Sequence, residues 1–205
     1  MIHGVGIDKD DVSPRKRMLL RNEMRKKLHL GKDDYLIISV GELSKIKNHS
    51  TVLKALKKID NPKIKYVIAG IGPEKRNLIN LSKKLNLEDR FQLLGYVNEL
   101  DSLYYAADLN IFVSKREGLG LGGLDGVARG VYIIGTQNTG MSDYICNSKI
   151  GLLLNSPTNV DELANKIDIA YKEKRVVTDI KVVNKYTHSN VDKKMKEIYK
   201  KEFFE

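Results

Sequence analysis

The residues with most chemical potential fall in one glycine-rich stretch, Ser114-Lys115-Arg116-Glu117-Gly118-Leu119-Gly120-Leu121-Gly122-Gly123-Leu124-Asp125. Five glycines lie from Gly118 to Gly126. Such a run costs chain entropy, and a backbone contact to a ligand would offset it. Amides opening a helix after such a loop form a cradle for an anion. Glu117 stands before the cradle and Asp125 eight residues beyond it, and carboxylates accept hydrogen bonds from hydroxyl groups. A phosphate flanked by two polyols, the chemistry of a sugar nucleotide, fits all three features. An earlier loop, Gly41-Glu42-Leu43-Ser44-Lys45-Ile46-Lys47-Asn48, offers a glycine turn, a lysine and a following helix N-terminus. Those are the ingredients of a phosphate site. It matches neither the three-glycine dinucleotide fingerprint nor a Walker loop, and surface lysines in polar loops are common. Gly70-Ile71-Gly72-Pro73 reads mainly as turn geometry.

These loops need a scaffold. Tyr35–Val40 is a continuous apolar run with β-branched residues, as in a strand covered on both faces. Ile64–Ala69, Phe91–Leu94, Leu109–Val113, Val131–Ile134 and Gly151–Leu154 read as further strands. Helices are predicted over Ser13–Leu28, ended by Gly31, and over Ser50–Ile59, Glu74–Leu85, Glu99–Ala107, the segment up to Arg129, Val160–Lys172 and Val191–Phe203. The alternation predicts an α/β, Rossmann-like, doubly wound parallel sheet. Ligands of such sheets bind at the carboxyl ends of the strands, where the three loops fall.

The chain has 205 residues and a formal charge of +10, from 36 Lys and Arg against 26 Asp and Glu. Residues 15–32 hold eight basic residues and one acid, Glu23, and further lysines gather in the tail. A solvated helix face explains this; a peripheral position on an anionic membrane surface is the other reading. Nucleic acid is not an expected partner. Cys146 is the single cysteine, so no intrachain disulfide forms. The four histidines are scattered, and no metal site is expected. No apolar run reaches membrane-spanning length, and the first residues do not read as a signal peptide. A cytoplasmic location is expected.

Glu117-Gly118-Leu119-Gly120-Leu121 with Asp125 resembles the acid-x7-acid motif of retaining GT-B glycosyltransferases, group 1 or family 4. Val40–Ser44 with Lys47-Asn48-His49, Tyr66–Pro73, Leu94–Val97 and Ala106–Asp108 resemble that family's other motifs, in order. The likeness is strongest to bacterial capsular and exopolysaccharide transferases. It implies that Lys47 and Glu117 are catalytic, and that Gly41, Tyr96, Val97, Gly118, Leu119, Gly120, Leu121 and Asp125 also bind the donor. Lys47 would hold the nucleotide diphosphate, Tyr96 and Val97 border the base, Glu117 meet the sugar hydroxyls and Asp125 the ribose. Two residues depart from the pattern: Glu42 stands where many relatives have arginine, and Asp125 where they usually have glutamate. The implied donor is a nucleotide sugar, UDP-sugar foremost, used without cofactor or metal.

The resemblance covers the donor-binding half of a two-domain architecture. Residues 1–12 resemble the interdomain junction, 190–205 form a tail helix, and an acceptor half is expected as a missing domain or a partner chain. The chain alone should then bind donor without transferring it. A noncatalytic nucleotide-sugar or phosphate-binding module explains the loops as well. An NAD-dependent dehydrogenase shares the fold but lacks its fingerprint here.

Overall fold

The computed structural model describes residues 6–204. Residues 1–5, which open the segment likened to an interdomain junction, lie outside the described residues. Six strands form one parallel sheet: β1 Tyr35–Val40, β2 Ile64–Ala69, β3 Phe91–Gly95, β4 Leu109–Ile111, β5 Tyr132–Thr136 and β6 Gly151–Leu154. Their order is β3-β2-β1-β4-β5-β6. Chain direction across the sheet therefore reverses between β1 and β4, and the loops leaving these two strands diverge.

The helices are α1 Pro14–Lys27, α2 His49–Lys58, α3 Lys75–Lys84, α4 Asp101–Ala106, α5 Leu121–Ala128, α6 Val160–Lys172 and α7 His188–Phe204. Alternate residues of β1 serve opposite faces. Tyr35 and Ile37 pack with Leu53 and Leu56 of α2 and Leu163 and Ile167 of α6. Leu36 and Ile38 pack with Leu103 and Tyr104 of α4. Leu124 and Val127 of α5 join Phe112, Ile133 and Tyr144. Burial on both faces explains the unbroken apolar runs.

Helix α1 ends at Lys27 with Leu28 as its cap, as expected to within a residue, but His29 closes it in place of Gly31. His29 takes a left-handed conformation at φ 55°. Leu30 N–H donates to Arg25 O and His29 N–H to Lys26 O, both at 3.0 Å, which is a Schellman closure. Leu28 is thereby turned into the core. The basic face of α1 is partly internal. Arg21 donates to the carbonyls of Tyr105 and Ala106 at 2.8 Å and pairs with Asp108 at 2.6 Å. Arg25 pairs with Asp108 at 3.2 Å, and Asp108 also accepts from the Leu36 amide at 2.7 Å. Two arginines therefore neutralise the carbonyl end of α4 and tie α1 to β1. Arg17 is likewise engaged, with Asp10 at 3.1 Å.

The tail begins inside the domain. Ile7 N–H donates to Tyr186 O at 2.8 Å, and His188 N–H to Ile7 O at 3.2 Å. Val191 is buried, whereas Met195 and Ile198 are half-buried and Tyr199 is exposed. Removal of residues 192–205 is therefore expected to lower Tm by no more than about 2–4 °C, a loss of roughly 1 kcal/mol. Differential scanning calorimetry checks this. A fall of roughly 10 °C or more would place the whole of α7 in the cooperative core.

Candidate active site

A cleft of about 800 Å³ opens at the carboxyl ends of β1 and β4. Its walls include Gly41, Glu42 and Lys47 from the loop after β1, and Glu117 to Gly122 with Asp125 from the loop after β4 and helix α5. Tyr104, Phe112, Leu100 and Asp143 also line it, and none of these four was singled out by sequence. Asp143 lies on a short 3-10 turn, Gly140–Asp143, in a stretch for which no element was predicted. Tyr104 and Phe112 carry apolar patterns that suit ordinary core positions.

Lys47 is held from behind by its neighbour. Asn48 is left-handed at φ 59° and donates to Val113 O at 3.2 Å and Pro157 O at 2.7 Å. This anchors the first loop to the end of β4. The Lys47 ammonium pairs with the Glu117 carboxylate, which also accepts from Ser114 Oγ at 3.1 Å. The two residues assigned catalytic roles on resemblance thus meet each other in the ligand-free cleft. Among the described lining residues, the one cation, Lys47, faces four carboxylates: Glu42, Glu117, Asp125 and Asp143.

The glycines divide by role. Gly120 adopts φ 71° at the entry to α5, a conformation that disfavours other side chains. The Gly123 and Leu124 amides both find Gly120 O, so the N–H groups of Leu121 and Gly122 precede them on the cleft wall. A Cβ on Gly118 would meet nothing within 4 Å. Gly122, Gly123 and Gly126 serve packing instead: added Cβ atoms would come within 2.8 Å of Phe112, 2.6 Å of the Tyr144 hydroxyl and 2.5 Å of Asn110. Ligand contact is therefore not what accounts for all five. The cradle is also braced from below. Tyr104 Oη donates to Gly122 O at 2.8 Å and Tyr144 Oη to Gly120 O at 3.3 Å. Burial pushes both phenols up, so both stay protonated donors. In the second loop, a Cβ on Gly70 would lie 1.8 Å from Gly41 O. This glycine lets the two loops touch.

Asp125 is oriented by Arg129 one turn on, at 3.4 Å. Arg129 also binds Asp101 at 2.6 Å and stacks over the Tyr104 ring at 5.5 Å. Burial pushes the Asp125 carboxyl up, and the Arg129 charge opposes it. Tyr96 does not line the cleft: it projects into solvent, 75% exposed. Val97 packs against the cluster under α4. The turn at Gly95, φ 73°, directs the chain away after β3. Among the described residues, no group of three or more His, Cys, Asp or Glu could hold a metal ion, and no helix is long and apolar enough to cross a membrane.

A parallel sheet reversing at β1 and β4, with a lysine and a glycine-opened helix at that point, is a Rossmann-like domain of the kind that forms one half of a GT-B architecture. The family described as "Glycosyl transferases group 1" matches residues 21–186, and this chain belongs to it. It is 33% identical over 129 residues to the O-antigen biosynthesis glycosyltransferase WclY of Escherichia coli, covering 63% of this chain and 35% of that protein. It is 30% identical over 132 residues to N-acetyl-alpha-D-glucosaminyl L-malate synthase of Bacillus anthracis, covering 64% and 35%. The crystal structure of Anabaena Alr3699/HepE in complex with UDP and glucose has a similar fold, with TM-score 0.83, 20% identity, and coverage of 94% of this chain and 54% of that one. WaaG, a glycosyltransferase involved in lipopolysaccharide biosynthesis, superposes with TM-score 0.78 at 19% identity, over 95% and 55%. The chain spans about 35% of the length of these curated relatives.

Proposed function

We propose that this chain holds the nucleotide-diphosphate sugar, UDP-sugar foremost, for retaining glycosyl transfer in the assembly of a surface polysaccharide or glycolipid. The observation that carries the reading is the convergence of Lys47, the Gly118–Gly122 backbone and Glu117 on one cleft at the reversal of strand order. As the bond from the anomeric carbon to the phosphate oxygen breaks, negative charge grows on the diphosphate. The Lys47 ammonium and the amides opening α5 are placed to stabilise it. Glu117 would turn to the sugar hydroxyls once phosphate replaces it beside Lys47. No metal is assigned to these steps. WclY, named for O-antigen biosynthesis, and the UDP complex of HepE support the substrate class. On this reading the chain supplies the donor side of the cleft, so the 205-residue chain is expected to hydrolyse donor slowly at most; robust acceptor glycosylation by the purified chain would refute that.

Calorimetry with UDP, GDP, uridine and NAD tests the assignment. A nucleoside diphosphate should bind with modest affinity and NAD should not. Absence of any nucleoside diphosphate binding at millimolar concentration would overturn it. The ion pair adds a sign. Glu117→Gln frees Lys47 and removes a carboxylate beside the phosphates, so UDP should bind roughly 3- to 10-fold more tightly. The same change should weaken UDP-sugar relative to UDP, since a carboxylate contact to hydroxyls is lost. Weaker binding of UDP itself would show that Glu117 does not compete for Lys47.

A further inference from the structure

His49 opens α2 and is 5% exposed, directly after the loop that carries Lys47. Its Nδ1 lies 3.1 Å from Tyr66 Oη, and its Nε2 lies 3.2 Å from the carbonyl oxygen of Glu42. Tyr66 Oη donates to Ser39 Oγ at 2.9 Å, and Ser39 Oγ donates to Ile111 O at 2.6 Å. Four contacts thus run in a row from the first loop to the end of β4. Both ends are backbone carbonyls, which only accept. A neutral imidazole, a phenol and an alcohol bring three hydrogens between them. Four contacts need four, so one stays open while the ring is neutral. The carbonyls at the two ends cannot turn away, whereas the two hydroxyls in the middle can rotate. With Tyr66 donating to Ser39 and Ser39 to Ile111, the deficit falls at His49, and it costs least on the Tyr66 side, where the phenol hydrogen can rotate. That solution puts the ring hydrogen on Nε2, donating to Glu42, and leaves Nδ1 an acceptor facing the Tyr66 hydroxyl, which donates to Ser39 here and reaches Nδ1 by rotation. The opposite tautomer would set the Nε2 lone pair against the Glu42 carbonyl.

We propose that His49 is a positioning residue for the phosphate-binding loop: its Nε2–H grips the Glu42 carbonyl and so fixes Gly41 to Lys47 against β2 and β4, a role that rests on the diphosphate reading of the cleft for its effect on binding. Lys47 sits two residues before His49, and Glu42 and Gly41 line the cleft with it. Burial holds the ring neutral, with the Lys47 charge acting in the same direction. The role belongs to one nitrogen, and this makes it separable from simple core packing.

Two measurements test it. Long-range nitrogen–proton NMR on ligand-free protein should show His49 as the Nε2–H tautomer; an Nδ1–H ring would overturn the proposal whatever the cleft binds. Calorimetry with UDP should then separate three variants. In His49→Gln the terminal amide can still donate to Glu42 and accept from Tyr66, so UDP affinity should stay near that of the parent. His49→Asn does not reach Glu42, and His49→Phe carries no donor; both should weaken UDP roughly 10-fold, the loss of one neutral hydrogen bond. A structural role alone would lower Tm across the set while leaving UDP affinity equal in the folded variants, and equal affinities would sink the idea. If the parent itself bound no UDP, the diphosphate reading would fall, and the tautomer would still be decided on the ligand-free protein.

Discussion

Lys47→Ala is expected to weaken UDP roughly 10- to 150-fold, the span of one hydrogen bond to a charged group, while uridine binding stays nearly unchanged. Lys47 is the one cation among the described residues of a cleft lined by four carboxylates. Its loss therefore removes an attraction and also leaves Glu117 without its partner. The effect should lie toward the upper part of the range. The double variant Lys47→Ala, Glu117→Gln should recover part of the loss, because it removes the carboxylate that the lysine had neutralised. Titration calorimetry on the four proteins closes a double-mutant cycle. If Lys47→Ala bound UDP as well as the parent, the diphosphate would have to sit elsewhere on the sheet edge.

A second large effect concerns acid. Burial pushes the His49 imidazole down to about 4 from its ordinary 6.5; the hydrogen bond with Glu42 acts upward and the Lys47 charge downward. Lys45, Glu74 and Lys115 border the same small pocket. Above pH 6.5 the ring is neutral in both folded and unfolded chains, and its contribution to stability is fully present. Between pH 6.5 and 4 the unfolded chain takes up a proton that the folded chain refuses, so stability falls as pH falls. The lowered pKa corresponds to roughly 3 kcal/mol by pH 4, or about 6–12 °C in Tm for a chain of this size. Paired carboxylates also lose stability in acid, so the measurement is a difference. His49→Gln should show a shallower decline in Tm over this interval than the parent. Parallel curves for the two proteins would show that the imidazole takes up its proton equally in both states.

Strands and helices were legible because their signal is local. The apolar runs Tyr35–Val40, Ile64–Ala69 and Gly151–Leu154 and the helix Val160–Lys172 coincide with β1, β2, β6 and α6. Burial on two faces writes itself into consecutive residues, and helical burial into every third or fourth. The end of α1 near Leu28 was legible, but the residue that closes it was not, because Gly31 is the better left-handed residue by intrinsic preference. His29 takes that conformation instead, as this turns Leu28 into the core. Tertiary packing outweighed the local preference. At the cleft, Lys47, Glu117 and the cradle were legible as residue types on strand-end loops. Tyr104 and Asp143 were not: a tyrosine on an amphipathic helix and an aspartate in a loop carry no mark of the cleft they face.

By itself the sequence determined an alternating strand–helix chain, and hence a parallel sheet with its chemistry on the carboxyl-end loops, because backbone hydrogen bonding and burial periodicity act over a few residues. Only the tertiary structure decided which residues meet. Lys47 and Glu117 are 70 positions apart, and they pair because β4 lies beside β1 rather than beside β3. That strand order also decides which glycines face a ligand and which admit Phe112, Tyr144 and Asn110. It turns two arginines of a basic helix inward onto Asp108, and it runs the contacts of His49 from the first loop to Ile111. Such pairings depend on the placement of whole elements, which is a global balance of packing and loop closure and leaves no periodic trace in the chain.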